Sequence, residues 1–177
     1  MTPPADPTDL VFEAASFAAR AHKDQLRKDG QTPYAAHPFR VCLVVRHVFG
    51  VDDPQTLAAA LLHDTIEDTP TDFDEIAERF GAEVAGWVAA LTKDMRMEEG
   101  PREAEYRRVL AAAPWPVVVC KLADIYDNLS DSRGLSPDKR ARSVRRSAEY
   151  LDALRPTLPP EARAAFALVE RRLEQAR

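Results

Sequence analysis

The sequence predicts an all-α domain of eight or nine helices, and three observations predict it. Apolar residues recur at helical spacing along most of the chain. No stretch alternates with period two for long, so no strand has a partner. Only 6 glycines interrupt 177 residues, whereas Ala, Leu and Arg abound. A first helix is expected from Asp9 to His22, with Leu10, Phe12, Ala14, Phe17 and Ala18 as apolar positions. Leu26 to Ala36, carrying Gly30 and Pro33, reads as a loop. Pro38 to Phe49 is a second helix with proline in its first turn. Asp53-Pro54 repeats that start signal, and a third helix runs to about Asp64. Thr71 or Asp72 caps a short helix to Phe80, Gly81 breaks it, and another helix follows to Thr92. Lys93 to Pro101 reads as a mobile polar segment. Arg102 to Ala113 is helical, Pro114 and Pro116 interrupt, and Val117 to about Ser132 is a buried helix. Val117-Val118-Val119 would suit a strand on propensity, but the absence of a partner favours helix. Ser136-Pro137-Asp138 caps the next helix, to about Leu154, and Pro159-Pro160 opens the last.

Composition bounds the function. The chain is 45% hydrophobic and 30% charged, which is globular. No apolar run approaches the ~20 residues of a membrane span. MTPPADPTDL has no basic flank and no apolar segment, so no signal peptide is expected. Cys42 and Cys120 both lie in apolar runs and read as buried hydrophobes in a reducing, cytoplasmic compartment. The net charge of −5 argues against a nucleic-acid partner. Residues 1–132 hold 13 Lys and Arg against 23 Asp and Glu, whereas residues 133–177 hold 11 against 6. That basic tail reads first as a set of solvated helix faces.

Four histidines are few, and two of them stand in informative places. His63-Asp64 ends the apolar run LAAALLHD, and Glu67 and Asp68 follow at i+4 from each. A polar helix end would account for that dipeptide alone. His37, in PYAAHP, lies at a loop-to-helix junction. Asp124 follows the strongly apolar stretch in VVVCKLA, so it is buried and needs a partner, cation or metal. Asn128 shares its helix face. Two imidazoles and two carboxylates suit Mn²⁺, Fe²⁺ or Zn²⁺ and leave positions open for water and a phosphate oxygen. Such an ion acidifies water and polarises phosphoryl oxygen, with Glu67 and Asp68 placed to accept or orient a proton. No glycine-rich phosphate loop is present, which argues against a kinase. Taken alone, Arg27 and Lys28 in the turn RKDG read as solvated.

The ordered elements H…HD…D resemble the HD phosphohydrolase superfamily. AHKDQLRKDGQTPYAAHP, LAAALLHDTIEDT, ERFGAEVAGWVAALTK and KLADIYDNLSD resemble successive motifs of the (p)ppGpp hydrolase domain of the RelA/SpoT family. The nearest likeness is to its small hydrolase-only branch, which includes the metazoan SpoT homologue. The resemblance covers about residues 8–155 and implies an HD-domain helical bundle, with 156–177 as a helical extension of a single domain. It implies His37, His63, Asp64 and Asp124 as ligands of Mn²⁺, and Glu67 and Asp68 as the water-activating pair. It implies Arg27 stacking on a base, Lys28 facing phosphate, Tyr34 shaping the pocket and Asn128 contacting ribose. The implied reaction removes pyrophosphate from the 3′ position of guanosine tetra- or pentaphosphate. The implied partner is a small nucleotide, with neither nucleic acid nor membrane, and Trp87 and the apolar helices permit a homodimer.

Some positions depart from the family. Ile125 stands where a basic residue is usual, and Asp127 adds an acid. Both are expected to weaken binding of a highly charged tetraphosphate. That keeps open an adenine alarmone, NADPH or another nucleotide as substrate, or a non-catalytic nucleotide-binding module. Arg142, Arg145 and Arg146 are candidate replacements for the lost cation. Near Asp24 the family often has glycine.

Overall fold

The computed structural model describes residues 6–131 and 135–177. It is helical, with one isolated bridge between Leu26 and Pro33 in place of any sheet among the described residues. α1 (Pro7–Ala21) starts at Asp6, whose side chain accepts from Thr8 N, with Pro7 in the first turn. α2 (Ala36–Leu43) continues through Val44–Val48 in the wider π form, close to the expected end at Phe49. α3 (Pro54–Leu62) is capped by Asp53, and the single turn α4 (Thr65–Asp68) follows. α5 (Phe73–Phe80), capped by Asp72, turns into α6 (Ala82–Leu91) at Gly81, whose φ of 89° suits glycine. α7 (Glu99–Ala111), α8 (Trp115–Ser130), α9 (Pro137–Leu154) and α10 (Arg163–Ala176) complete the chain. Nine of these ten segments exceed one turn.

Two helices form the centre. Every residue from Thr56 to Leu62 in α3 and from Pro116 to Ala123 in α8 is buried. α1, α2 and α6 pack on α3, and α2, α6 and α10 pack on α8. The valine triplet is therefore helical, because α8 is surrounded and burial outweighs β-propensity. Pro116 does not interrupt, contrary to expectation. It occupies the first turn of α8, where its missing N–H costs nothing, and Pro114 alone precedes the helix. Phe166, Val169 and Leu173 of α10 join the same hydrophobic core as Leu62 and Val118. Trp87 and Trp115 pack half-buried against it. No described helix is long and apolar enough to cross a membrane.

Candidate active site

The polar ends of α2, α3 and α8 meet on one side of the core. Where α3 stops, the His63 imidazole is buried, and its Nδ1–H donates to Ala60 O over 2.8 Å. A carbonyl only accepts, so Nδ1 carries the proton and Nε2 presents a lone pair. That Nε2 is buried with no hydrogen-bond partner among the described residues. Thr65 Oγ1 donates to Leu62 O at 2.7 Å and fixes the turn into α4. From α2, His37 is 1% exposed, and its Nδ1 lies 2.7 Å from Asp127 Oδ2. Its Nε2 lies 3.4 Å from Asp64 Oδ2 and 3.3 Å from Asp124 Oδ1. Asp64 Oδ2 is also 3.1 Å from His63 Nε2. Donor atoms of His37, His63 and Asp124 all lie within 4.8 Å of one another.

This donor set fits a divalent metal ion. Two carboxylates and two imidazoles converge where added positive charge, a bound cation or a protonated imidazole, relieves the crowding of acids. The titration directions agree. Burial works against a charged His37, yet bonds to Asp124, Asp127 and Asp64 outweigh it and hold its pKa well above 6.5. Burial likewise works against a charged Asp64, and His63 and His37 outweigh it. Asp124 is held down by Lys121, whose buried ammonium donates to Oδ2 at 2.8 Å. The Lys121 ammonium also sits 4.4 Å from the Tyr150 ring centre and 5.2 Å from that of Tyr106. Sequence reasoning passed over this lysine, although a lone cation inside an apolar run was a legible signal.

Glu67 and Asp68 flank the cluster on α4. Glu67 Oε2 accepts from Lys93 N at 2.8 Å. Lys93, expected in a mobile segment, is instead held there, with its ammonium 3.8 Å from Glu103. Tyr34 O–H reaches Asp64 Oδ2 at 2.7 Å and Asp68 Oδ2 at 3.0 Å. Its ring packs 4.7 Å from that of His22, which is buried and pairs through Nδ1 with Gln25. Gln25 in turn donates to Asp68 O at 2.7 Å.

The loop before α2 is a hairpin. Arg27 N donates to Thr32 O at 2.8 Å, and Asp29 accepts from Gln31 N, Thr32 N and Thr32 Oγ1. Bonds to Thr32 and Gln31 hold the Asp29 carboxyl down to about 2. The buried Arg27 guanidinium donates to Asp131 at 2.9 Å and to Asn128 Oδ1 at 3.3 Å, and lies over the Tyr34 ring. Asn128 Nδ2 donates to Asp124 Oδ1 at 2.5 Å, so this amide ties Arg27 to the cluster. Lys28 is exposed at the rim.

All ten expected residues, with Lys93, Lys121 and Tyr106, line one cavity of about 230 Å³. A chamber of about 540 Å³ adjoins it, sharing Lys28, Lys93, Lys121, Asp124 and Asn128. Lys139, Arg142 and Arg146 of α9 line that chamber, so part of the basic tail faces the site. Arg145 does not; it faces a separate groove beside α10. Two sequence expectations change here. Asp127 does not oppose a substrate, because it is 4% exposed and bound to His37 and Arg40. The cation missing at Ile125 has neighbours in its place, because Lys139, Arg142 and Arg146 of α9 line the same chamber, the last of them paired with Glu99.

Comparison with known proteins agrees with this geometry. The family model described as "HD domain" matches residues 14–151. The guanosine-3′,5′-bis(diphosphate) 3′-pyrophosphohydrolase MESH1 of Xenopus tropicalis is 39% identical over 142 residues, covering 80% of this chain and 78% of its own. The human protein of the same name is 40% identical over 144 residues, covering 80% and 79%. A solved structure described as a metazoan ortholog of SpoT that hydrolyses ppGpp matches with a TM-score of 0.81 and 29% identity, covering 95% of this chain and 97% of that one. With the family model spanning most of the chain and its donor residues gathered into one cluster, the protein belongs to the HD domain family.

Proposed function

We propose that this chain hydrolyses guanosine tetra- and pentaphosphate at the 3′ position, releasing pyrophosphate and leaving GDP or GTP. The observation that carries this reading is the junction of the His37, His63, Asp64 and Asp124 cluster with a chamber lined by five lysines and arginines that reach no metal-cluster residue: Lys28, Lys93, Lys139, Arg142 and Arg146. The names borne by relatives at 39% and 40% identity support the same substrate.

His37, His63, Asp64 and Asp124 would hold the ion, for which we assign Mn²⁺. When bound, it would supply acidification of water and polarisation of a phosphoryl oxygen. Glu67 and Asp68 take a proton from the attacking water. The water oxygen bonds to phosphorus, the bond from phosphorus to the 3′ oxygen breaks, and that oxygen gains a proton. Arg27 offers the guanidinium face turned from Tyr34 to the base. Lys28 and the α9 cations take phosphate as point charges or forks. The second Asn128 N–H is left for a ribose hydroxyl. The partner is a small nucleotide, and the free thiols Cys42 and Cys120 suit a cytoplasmic setting.

The test is product analysis of metal-stripped protein refilled with Mn²⁺, given ppGpp, ppApp, NADPH and a nucleoside monophosphate in parallel. Pyrophosphate from ppGpp, absent with Asp64→Ala, is the expected result. Turnover of only ppApp or NADPH would overturn the guanine assignment and leave the metal chemistry standing. No turnover of any of the four by metal-loaded protein would overturn the alarmone reading.

A further inference from the structure

Asp127 is buried and spends both carboxylate oxygens inside the protein. Oδ2 lies 2.7 Å from His37 Nδ1, Arg40 Nε donates to Oδ1 at 2.7 Å, and Arg40 Nη2 donates to Oδ2 at 3.1 Å. Arg40 and His37 sit one turn apart on α2, whereas Asp127 sits one turn beyond Asp124 on α8. Arg40 Nη2 also reaches Asp131 Oδ2, at 3.1 Å. The second cluster imidazole is held differently, because His63 Nδ1 donates only to the neutral carbonyl of Ala60. One imidazole thus leans on a peptide group and the other on a clamped, buried carboxylate.

We propose that Asp127, clamped by Arg40, is the positioning residue for His37. It accepts the Nδ1 proton and so turns the Nε2 lone pair toward Asp64 and Asp124, where the ion would sit. The proposal rests on the metal-site reading above, not on the identity of the nucleotide. A carboxylate behind a ligating imidazole fixes its tautomer and orientation and makes it a better donor, and loss of such a partner typically weakens metal binding about 10- to 100-fold. The acid that departs from the family pattern therefore serves the metal site and does not repel the substrate.

The experiment is a calorimetric titration of Mn²⁺ into metal-free full-length protein, with the fold checked by far-UV circular dichroism. Asp127→Asn keeps the shape and an acceptor but removes the charge. Its Mn²⁺ dissociation constant is expected to rise about tenfold or more. Arg40→Gln, at a partly exposed site outside the hydrophobic core, is expected to raise it several-fold by loosening the clamp. Should Asp127→Asn fail to fold, Arg40→Gln alone decides. In wild type, a long-range ¹H–¹⁵N spectrum should show His37 protonated at Nδ1. A folded Asp127→Asn protein, or failing that an Arg40→Gln protein, with wild-type Mn²⁺ affinity would overturn the positioning role, whatever nucleotide is hydrolysed. No Mn²⁺ binding by wild type would overturn it together with the metal reading, whereas intact Mn²⁺ binding without ppGpp turnover would overturn the substrate alone.

Discussion

Burial lifts both Glu67 and Asp68 above their ordinary carboxylate values of 4.5 and 3.8, with Lys93 restraining the first and the Tyr34 hydroxyl the second. A base works as the carboxylate, so kcat/KM falls as pH drops through the raised pKa. Glu67 is committed at Oε2 to the Lys93 amide. Asp68 Oδ1 has no protein hydrogen-bond partner among the described residues, which leaves it open to water. We expect Asp68 to be the main base, with Asp68→Asn lowering kcat about 10²- to 10⁴-fold and more than Glu67→Gln does. Tyr34→Phe removes the bond that holds Asp68 down, so the acid limb of the kcat/KM profile should move to higher pH. A limb that stays in place would transfer the role to Glu67. At this scale three of the four cluster residues were legible because His63, Asp64 and Asp124 follow apolar runs and have to meet other polar groups, whereas His37 stood out only at a loop-to-helix junction. Asp127 was misjudged because its spacing from Asp124 says only that both lie on one side of α8. That α2 brings His37 and Arg40 against that side is a tertiary fact.

Among the elements, the loop from His22 to Ala35 shows how a family departure is accommodated. Asp24 has a φ of 65° and is the one described non-glycine residue in the left-handed region. The glycine usual near this position would meet that conformation without strain, and aspartate is among the few side chains that tolerate it. The Asp24 side chain is exposed and only 4.0 Å from Lys23, a pairing that contributes little. Asp24→Gly is therefore expected to stabilise the fold by up to about 1 kcal/mol, raising Tm by roughly 2–4 °C. A Tm that falls would show that the acid makes a compensating contact. The α1 start at Asp6-Pro7 precedes the expected Asp9, but two later starts were readable, because Asp53-Pro54 and Ser136-Pro137 set a capping residue type before a proline. The start of α7 was not. Glu99-Gly100-Pro101 has loop composition, yet it forms a first turn where glycine and proline cost little. The hairpin that holds Arg27 was visible only as a loop, since its geometry depends on Asp29 bonding back to Thr32.

For the whole molecule, the site draws on distant parts of the chain, with His37 on α2, His63 and Asp64 after α3, and Asp124 on α8. The opposite side of α8 is covered by α10, so the C-terminal helix supports the element that carries Asp124 and Asn128. We therefore read residues 1–177 as one cooperative domain, the extension included, and expect a single thermal transition. An ion that binds only the native arrangement adds RT ln(1 + [L]/Kd), about 2.7 kcal/mol at a hundredfold excess over Kd. For a chain of this size that corresponds to a rise of roughly 5–10 °C. Mn²⁺ should thus move the entire transition upward, and removing it with a chelator should reverse the shift. His63→Ala should abolish most of the shift while leaving a folded protein, because it removes a donor whose Nε2 makes no hydrogen bond among the described residues. Differential scanning calorimetry with and without Mn²⁺ checks both points. Two transitions, of which only one responds to the metal, would separate α10 from the unit that holds the site. One transition that ignores Mn²⁺ would mean that the four donors do not bind it in the folded state.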